Sequence, residues 1–404
     1  MGNSTNHKVV VIGGGYAGAL AAVRLAGRAR GRAEVTLVEP RDEIVQRLRL
    51  HQVATGQSVR RYPLERVLGR RVTHLRGHAV AVDPERGAVA YRGAEGKLGE
   101  VRFDQALLAL GSTVGTAAVP GVAEHAHTLA DPSAAIRLRE ALAALPEGAR
   151  VAVCGGGFTG IEAATELAAA RSDLRLAIYA AGAVGGGLSP RGSDALADRL
   201  ASLGVEVIEG ERIAAVEPGR LRFAAGGTAA ADLTIWCGGF VAHPLAADSH
   251  LPTAEDGRLL VDPTLCSLGA PNVLGAGDAA AIPALPNGAA YRMTCQAGMP
   301  SGAHAADAAL AVLRDEEPQR FDFGYIHVPL SLGRGYGLVQ FVDRADRPKD
   351  KILVGRRAAF YKETVTRLAI PSISWERRIP GALRWPAAGE PVLTGADAAT
   401  EAAR

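Results

Sequence analysis

Sulfur is scarce in this chain of 404 residues: there are four cysteines and none before Cys154. They stand singly at Cys154, Cys237, Cys266 and Cys295, without a C-x-x-C pair or metal-ligand spacing. That pattern predicts reduced, mostly buried thiols of a cytosolic protein. Charge of one sign is also missing. A formal net charge of +3 is near neutral for this length and gives no case for nucleic acid. No long apolar run is found near the N-terminus. The stretch from Val9 to Val23 is short and broken by glycines, too little to span a bilayer. MGNSTNHK ahead of it is no signal-peptide n-region, and Asn6 stands where myristoylation at Gly2 would need Ser or Thr. A cytoplasmic protein is expected, with attachment to a membrane surface left open. His125 and His127 have no further ligands nearby and are expected on a surface loop rather than at a metal.

Glycine, by contrast, is abundant and patterned. VVVIGGGYAG carries Gly13, Gly15 and Gly18 in G-x-G-x-x-G register, and VAVCGGGFTG repeats it with Gly155, Gly157 and Gly160. Each comes after an apolar run of strand type and opens an Ala/Leu-rich stretch of helical type. In that context the glycines allow a tight turn and close backbone approach, and the helix N-terminus faces a pyrophosphate. Two copies suggest two dinucleotides held by one polypeptide; the bland alternative is a packing turn. The copies differ in their next strand. EVTLVEP places Glu39 at its end, a carboxylate suited to ribose hydroxyls, whereas LRLAIYAAG ends in Tyr179-Ala180-Ala181 with no carboxylate. The second site therefore lacks the usual selector for unphosphorylated NAD, and Arg171, Arg175 and Arg191 are the nearest cations in sequence for a 2′-phosphate.

The length supports two to three domains, and 48% hydrophobic with 22% charged residues is ordinary for a soluble enzyme. After Glu39 comes the Arg-rich RDEIVQRLRLHQVATG; Arg60-Arg61 and Arg70-Arg71 further on are read as solvated surface rather than phosphate ligands. Residues 72–110 read as short strands, and the helix-like IRLREALAAL leads to the second unit. NVLGAGDAAAI comes later, with Gly275, Gly277 and Asp278, then the helix-like CQAGMPSGAHAADAALAVL. Asp278 also suits a helix N-cap. From Phe321 the pattern is of strands and the helix AAFYKETVTRLA. Two prolines are expected to break any long helix in TRLAIPSISWERRIPGALRW, and the Pro- and Ala-rich tail from Pro371 is expected to be partly disordered. The fold class is α/β.

GGGYAG with Glu39, LLALGS at 107–112, GGGFTG, WCGG at 236–239 and GAGD at 275–278 resemble the pyridine nucleotide-disulfide oxidoreductase superfamily. Within it the chain is most similar to type II NADH dehydrogenases and their soluble relatives, on GGGFTGIEAATEL, SLGRGYGLVQF and GRRAAFYKE. The resemblance implies two Rossmann-like domains, the FAD-binding one interrupted by the NAD(P)-binding one, plus a C-terminal α+β domain. The expected boundaries are 1–115 and 246–320 for FAD, 116–245 for NAD(P), and 321–404 for the last. It implies cofactor contacts at Gly13, Gly15, Ala17, Gly18, Glu39, Gly111, Gly277, Asp278 and Gln296 for FAD. For NAD(P)H they fall at Gly155, Gly157, Gly160 and Gly238. Glu162 is expected to orient the nicotinamide and Gln296 to shape the acceptor side of the flavin.

The departures matter as much. A dithiol relay beyond the first fingerprint is excluded by the missing cysteines; Cys154 is expected to be inert core, and only Cys295, beside Gln296, faces suspicion. Where the type II branch has a second Gln one turn on, Pro300 and Ser301 stand. Three functions remain open at this point. One is an FAD-dependent NAD(P)H dehydrogenase passing electrons to a quinone or other small-molecule acceptor. Another is a flavin enzyme acting on a specialised metabolite, with a degenerate nicotinamide site. The third is a non-enzymatic redox sensor like apoptosis-inducing-factor relatives. Peripheral membrane contact and homodimerisation stay open with them.

Overall fold

The computed structural model describes residues 6–389. Its first sheet has six strands in the order Cys266–Ser267, Ala270–Gly275, Gln105–Leu108, His7–Ile12, Ala33–Val38, Val72–Leu75. All neighbours are parallel except the first pair. Val9 to Ile12, at the centre, are at most 2% exposed, the near-continuous apolar run of a strand covered on both faces. Helices Tyr16–Arg28 and Cys295–Val312 pack against each other through small residues. A Cβ on Gly302 would lie 2.4 Å from the Ala17 carbonyl oxygen, so that crossing admits no side chain there.

The second sheet has five parallel strands, in the order Glu206–Glu209, Arg175–Ala180, Arg150–Cys154, Leu233–Trp236, Ala126–Thr128. Helix Phe158–Ala170 leaves its central strand as Tyr16–Arg28 leaves that of the first. The two turns are built alike: the Gly13 amide donates to the Val38 carbonyl at 2.9 Å, and the Gly155 amide to the Tyr179 carbonyl at 2.8 Å. Ala180 thus occupies the position that Glu39 has in the first unit. The outgoing Ser112–Val114 and the returning Phe240–Ala242 run side by side, antiparallel. Parallel and antiparallel sheets are both present, in a mixed α/β architecture.

Strands His327–Ser331, Gly337–Val342 and Pro348–Val354 form an antiparallel sheet, with helix Gly355–Arg378 packed on it. Here the expectation of a helix broken by proline fails. The helix runs through Pro371, since the loss of one backbone hydrogen bond is outweighed by what its last turns bury: Ile370, Ile373 and Glu376. The Glu376 carboxylate, fully enclosed, accepts from Arg24 Nε at 2.7 Å and from the Leu383 amide at 2.9 Å, tying this helix to the first one. The remainder of the Pro- and Ala-rich tail, residues 390–404, lies outside the described residues, as does Gly2. His127 is not on a loop either. It sits in the edge strand Ala126–Thr128, drawn there by pairing with Leu233–Trp236, and His125 ends the short helix Val122–His125.

Candidate functional site

The first glycine turn opens onto a cavity of about 380 Å³. Gly13, Gly15, Ala17, Glu39, Gly111, Gly277, Asp278 and Gln296 all line it, and so do Phe158, Thr159 and Glu162 from the second fingerprint helix. Residues of both fingerprint units thus meet at one cleft. The glycines differ in their work. A Cβ on Gly18 would fall 1.9 Å from the Gly13 carbonyl oxygen, so Gly18 serves helix-to-turn packing and is not part of the lining. A Cβ on Gly15 would meet nothing within 4 Å; it would project into open space at the start of the helix. No side chain caps that helix, and its first amides are free to face an anion.

Glu39 stands at the end of its strand, mostly buried, accepting from the Gly14 amide at 2.7 Å and the Arg41 amide at 3.1 Å. On the opposite wall the Ser112 hydroxyl donates to Asp278 Oδ2 at 2.7 Å, and Arg47 Nη1 donates to the Ser112 carbonyl at 2.7 Å. Burial pushes the Asp278 carboxyl above its usual range, against the pull of Ser112 and Arg47; burial likewise lowers Arg47. Asp278 caps no helix: Gly277–Ala279 is a single 3₁₀ turn leading into strand Ala280–Ala281. The buried Thr294 hydroxyl, also on the lining, has no hydrogen-bond partner among the described residues. An open cradle at Gly15, an uncapped helix, a ribose-height carboxylate and an orphaned hydroxyl together fit an extended dinucleotide.

Gln296 lies in the first turn of helix Cys295–Val312, donating to the His327 carbonyl at 3.1 Å and accepting from Arg292 at 3.3 Å. Glu162 is held from across the cleft. Lys362, from the C-terminal helix, reaches its Oε1 at 3.0 Å, and the Ser331 amide donates to the same oxygen at 2.9 Å. Burial alone would push this carboxyl up, but Lys362, His51 and the Ser331 amide together hold it below the usual range. Lys362 is itself anchored by the Pro329 carbonyl at 3.0 Å.

Gly155, Gly157, Gly160 and Gly238 gather at the C-terminal end of the second sheet, outside the cavity lining. The construction repeats the first: a Cβ on Gly160 would lie 2.1 Å from the Gly155 carbonyl oxygen, while Gly157 faces open space. Of the arginines considered for a 2′-phosphate, two are at the wrong end. Arg175 pairs with Arg150 at the start of the parallel strands, four residue steps or about 13 Å from the glycine turn. Arg171 is committed to Asp173, at 2.7 Å, and to the Leu142 carbonyl. Only Arg191, exposed in the first turn of helix Pro190–Ser202, is at the right end.

The residues that sequence reasoning missed are Arg47, His51 and Lys362. The doubled arginines 60–61 and 70–71 are exposed, whereas Arg47, single and interleaved with leucines, enters the cleft. Lys362 carried no local signal; it reaches Glu162 only because the last helix folds back over the cleft. The cysteines are quiet. Cys154 and Cys237 are buried, with thiols pushed up by desolvation. Cys295, at the cleft, is pushed up to about 11 chiefly by burial, so it is a thiol at neutral pH.

The family model described as pyridine nucleotide-disulphide oxidoreductase matches residues 7–308. An NADH dehydrogenase-like protein of Mycobacterium tuberculosis is 33% identical over 331 residues, covering 74% of this chain and 78% of the relative. A demethylphylloquinone reductase of Synechocystis is 24% identical over 289 residues, 68% of this chain and 72% of the relative. Among solved structures, NDH2 of Plasmodium falciparum in complex with NADH superposes with a TM-score of 0.77 at 16% identity, over 94% of this chain and 99% of that one. At that identity the likeness concerns the fold.

Proposed function

The chain belongs to the pyridine nucleotide-disulphide oxidoreductase family, an enzyme family, and from that premise we propose that it is an FAD-dependent NAD(P)H dehydrogenase passing electrons to a quinone or similar small acceptor. One observation carries the reading: the two glycine-fingerprint units contribute to a single cleft. The balanced reaction takes NAD(P)H, one proton and a quinone to NAD(P)⁺ and a hydroquinone. FAD, when bound, supplies a two-electron centre that accepts hydride from one substrate and yields electrons to the other.

The chain's own residues position and tune. Glu39 would receive ribose hydroxyls of FAD, the uncapped amides after Gly15 would take its pyrophosphate, and Asp278, with Arg47 and Ser112, would hold the cofactor further along. Gly155, Gly157 and Gly160 form the second cradle, with Gly238 allowing close approach. Glu162 orients the nicotinamide end, and Lys362 keeps it ionised there. Gln296, braced by His327 and Arg292, shapes the acceptor side. Domain limits near 1–115, 116–245, 246–320 and 321–404 are part of this proposal; support for the second of them is that the five-stranded sheet draws all its strands from residues 126–236.

The test is anaerobic addition of NADH or NADPH to the yellow holoprotein: bleaching of the flavin absorbance is expected. A flavin bleached by neither nucleotide overturns the dehydrogenase reading in favour of direct action on a metabolite. Ala180 and Ala181 bring no carboxylate of their own, although Glu209 on the neighbouring strand pairs with Ala180 and accepts from the Val184 amide at 2.7 Å; with Arg191 exposed at the same end, kcat/KM for NADPH should at least match that for NADH. A strong NADH preference refutes this.

No helix among the described residues is long and apolar enough to cross a membrane. The C-terminal helix nevertheless exposes Leu368, Trp375 and, at its end, Ile379, beside the exposed Arg367 and Arg378. This is the composition of a surface that rests on an anionic bilayer. Co-sedimentation with anionic vesicles, absent with neutral ones, tests it.

A further inference from the structure

In the first unit the Glu39 side chain lies against the middle glycine of the turn. Gly14 donates to it at 2.7 Å, and a Cβ on Gly14 would be 2.8 Å from Glu39 Cγ. In the second unit other atoms take that space. A Cβ on Gly156 would meet the Ala180 methyl at 2.8 Å and the Val184 main chain at 3.2 Å, and the Gly185 amide donates to the Gly156 carbonyl at 2.8 Å. The loop over residues 181–189, AGAVGGGLS, therefore lies where the first unit presents its carboxylate. Four of its nine residues are glycine, and Gly185 and Gly187 are at φ +74° and +95°. Such a loop loses much conformational freedom when ordered, so it keeps one shape only where it is held.

Within the unit, Glu209 holds the loop through the Val184 amide at 2.7 Å. Its far end is held from another sheet. Gln340, fully enclosed in strand Gly337–Val342, accepts at Oε1 from the Ser189 amide at 2.9 Å and from the Ser189 hydroxyl at 2.8 Å. Its Nε2 donates to the carbonyls of Phe341 at 2.9 Å and Lys349 at 2.6 Å, which sets the orientation of the amide. With its proton given to Gln340, the Ser189 hydroxyl accepts from the Gly192 amide at 3.1 Å and caps helix Pro190–Ser202. The fit is close, for a Cβ on Gly192 would be 2.6 Å from Gln340 Oε1. Gln340 also pairs in register with Val328, which lines the first cavity. One sheet thus braces the cleft with one strand and the loop with the next.

We propose that Gln340 is a positioning residue for the second dinucleotide: it fixes the 181–189 loop, and the loop, in place of a strand-end carboxylate, receives the adenosine ribose of NAD(P)H. The exposed backbone at Gly186 and Gly187 allows close approach of a ribose or its 2′-phosphate, and Arg191 follows in the first turn of the helix that Ser189 caps. Gln340 acts on the adenosine end alone, since the nicotinamide end is assigned to Glu162 on a different helix. The identity of the ligand as a reducing nucleotide rests on the dehydrogenase reading; the dependence of the adenosine site on Gln340 does not.

The experiment is isothermal titration of the oxidised holoprotein with ADP-ribose and with its 2′-phosphate, probes that carry the adenosine end and no nicotinamide. Gln340→Met removes the oxygen that Ser189 uses and should weaken both probes about tenfold, the scale of one lost hydrogen bond. Anaerobic bleaching by NADPH should then need about tenfold more nucleotide for half-saturation, with a limiting rate within about twofold of the wild type. Ser189→Ala, which removes only the hydroxyl, should weaken the probes about threefold, and it carries the test if Gln340→Met fails to retain flavin. Unchanged affinity for ADP-ribose in these variants, or a limiting rate that falls as far as the affinity does, overturns the proposal and leaves Gln340 a packing residue. A wild-type flavin bleached by neither NADH nor NADPH, while ADP-ribose binds and is weakened by Gln340→Met, defeats the dehydrogenase reading alone.

Discussion

Replacing two glycines only three positions apart should separate cofactor binding from folding. Gly15 has φ −73° and ψ −166°, a conformation open to any residue, and a Cβ there would touch nothing within 4 Å. Gly15→Val should therefore alter the stability of the apoprotein by only about 1 kcal/mol, the scale of an N-cap exchange. The valine would instead fill the space beside the helix amides where the pyrophosphate fits, so flavin should be lost. Gly18 is the opposite case. Its added Cβ would stand 1.9 Å from the Gly13 carbonyl oxygen and 3.2 Å from Ala109 Cβ, so the turn must shift by more than an ångström. Gly13 has little room to move, being at φ +104° with its own Cβ position 2.5 Å from the Ala109 carbonyl oxygen. Gly18→Ala should cost at least the about 1–3 kcal/mol typical of overpacking. Bound FAD itself stabilises by mass action, so urea unfolding must compare apoproteins, with flavin retention read separately after desalting. A yellow Gly15→Val protein, or an apo Gly15→Val variant as unstable as Gly18→Ala, would refute the division of labour.

Arg24→Leu should destabilise by about 3–5 kcal/mol, because it strands the enclosed Glu376 carboxylate; urea unfolding checks this, and an effect below about 1 kcal/mol contradicts it. The Glu162–Lys362 pair should give a signed pH dependence. Glu162 is held below its ordinary value of 4.5, so its stabilising contribution is present above that value and is lost as pH falls through the lowered folded one. In Lys362→Met, burial is left with less opposition, the carboxyl shifts upward, and the acid limb of the stability profile should move to higher pH. An unmoved profile would show that the pair is not coupled. Cys295→Ser should keep a sizeable share of turnover with a simple acceptor, since burial pushes the thiol up to about 11 and away from the reactive thiolate; loss of flavin reoxidation with FAD retained would instead implicate sulfur chemistry.

The two glycine turns, the strands before them and the helices after them were legible in the sequence because each rests on local rules. Apolar runs make covered strands, and the glycine spacing answers to contacts within a single turn, as Gly18 against Gly13 and Gly160 against Gly155 demonstrate. Glu39 and its replacement by Ala180 could be read for the same reason: both stand directly at a strand end. What involved distant segments was not legible. Lys362 reaches Glu162, Arg24 meets Glu376, and the helix continues through Pro371 because long-range burial outweighs a local rule about proline. The arginines near Ala180 in sequence were sorted only by the sheet, whose parallel strands carry Arg175 to the far end from the glycine turn. Local conformational preference is written residue by residue, whereas the partner of a charged side chain is chosen by whichever element the fold brings alongside it.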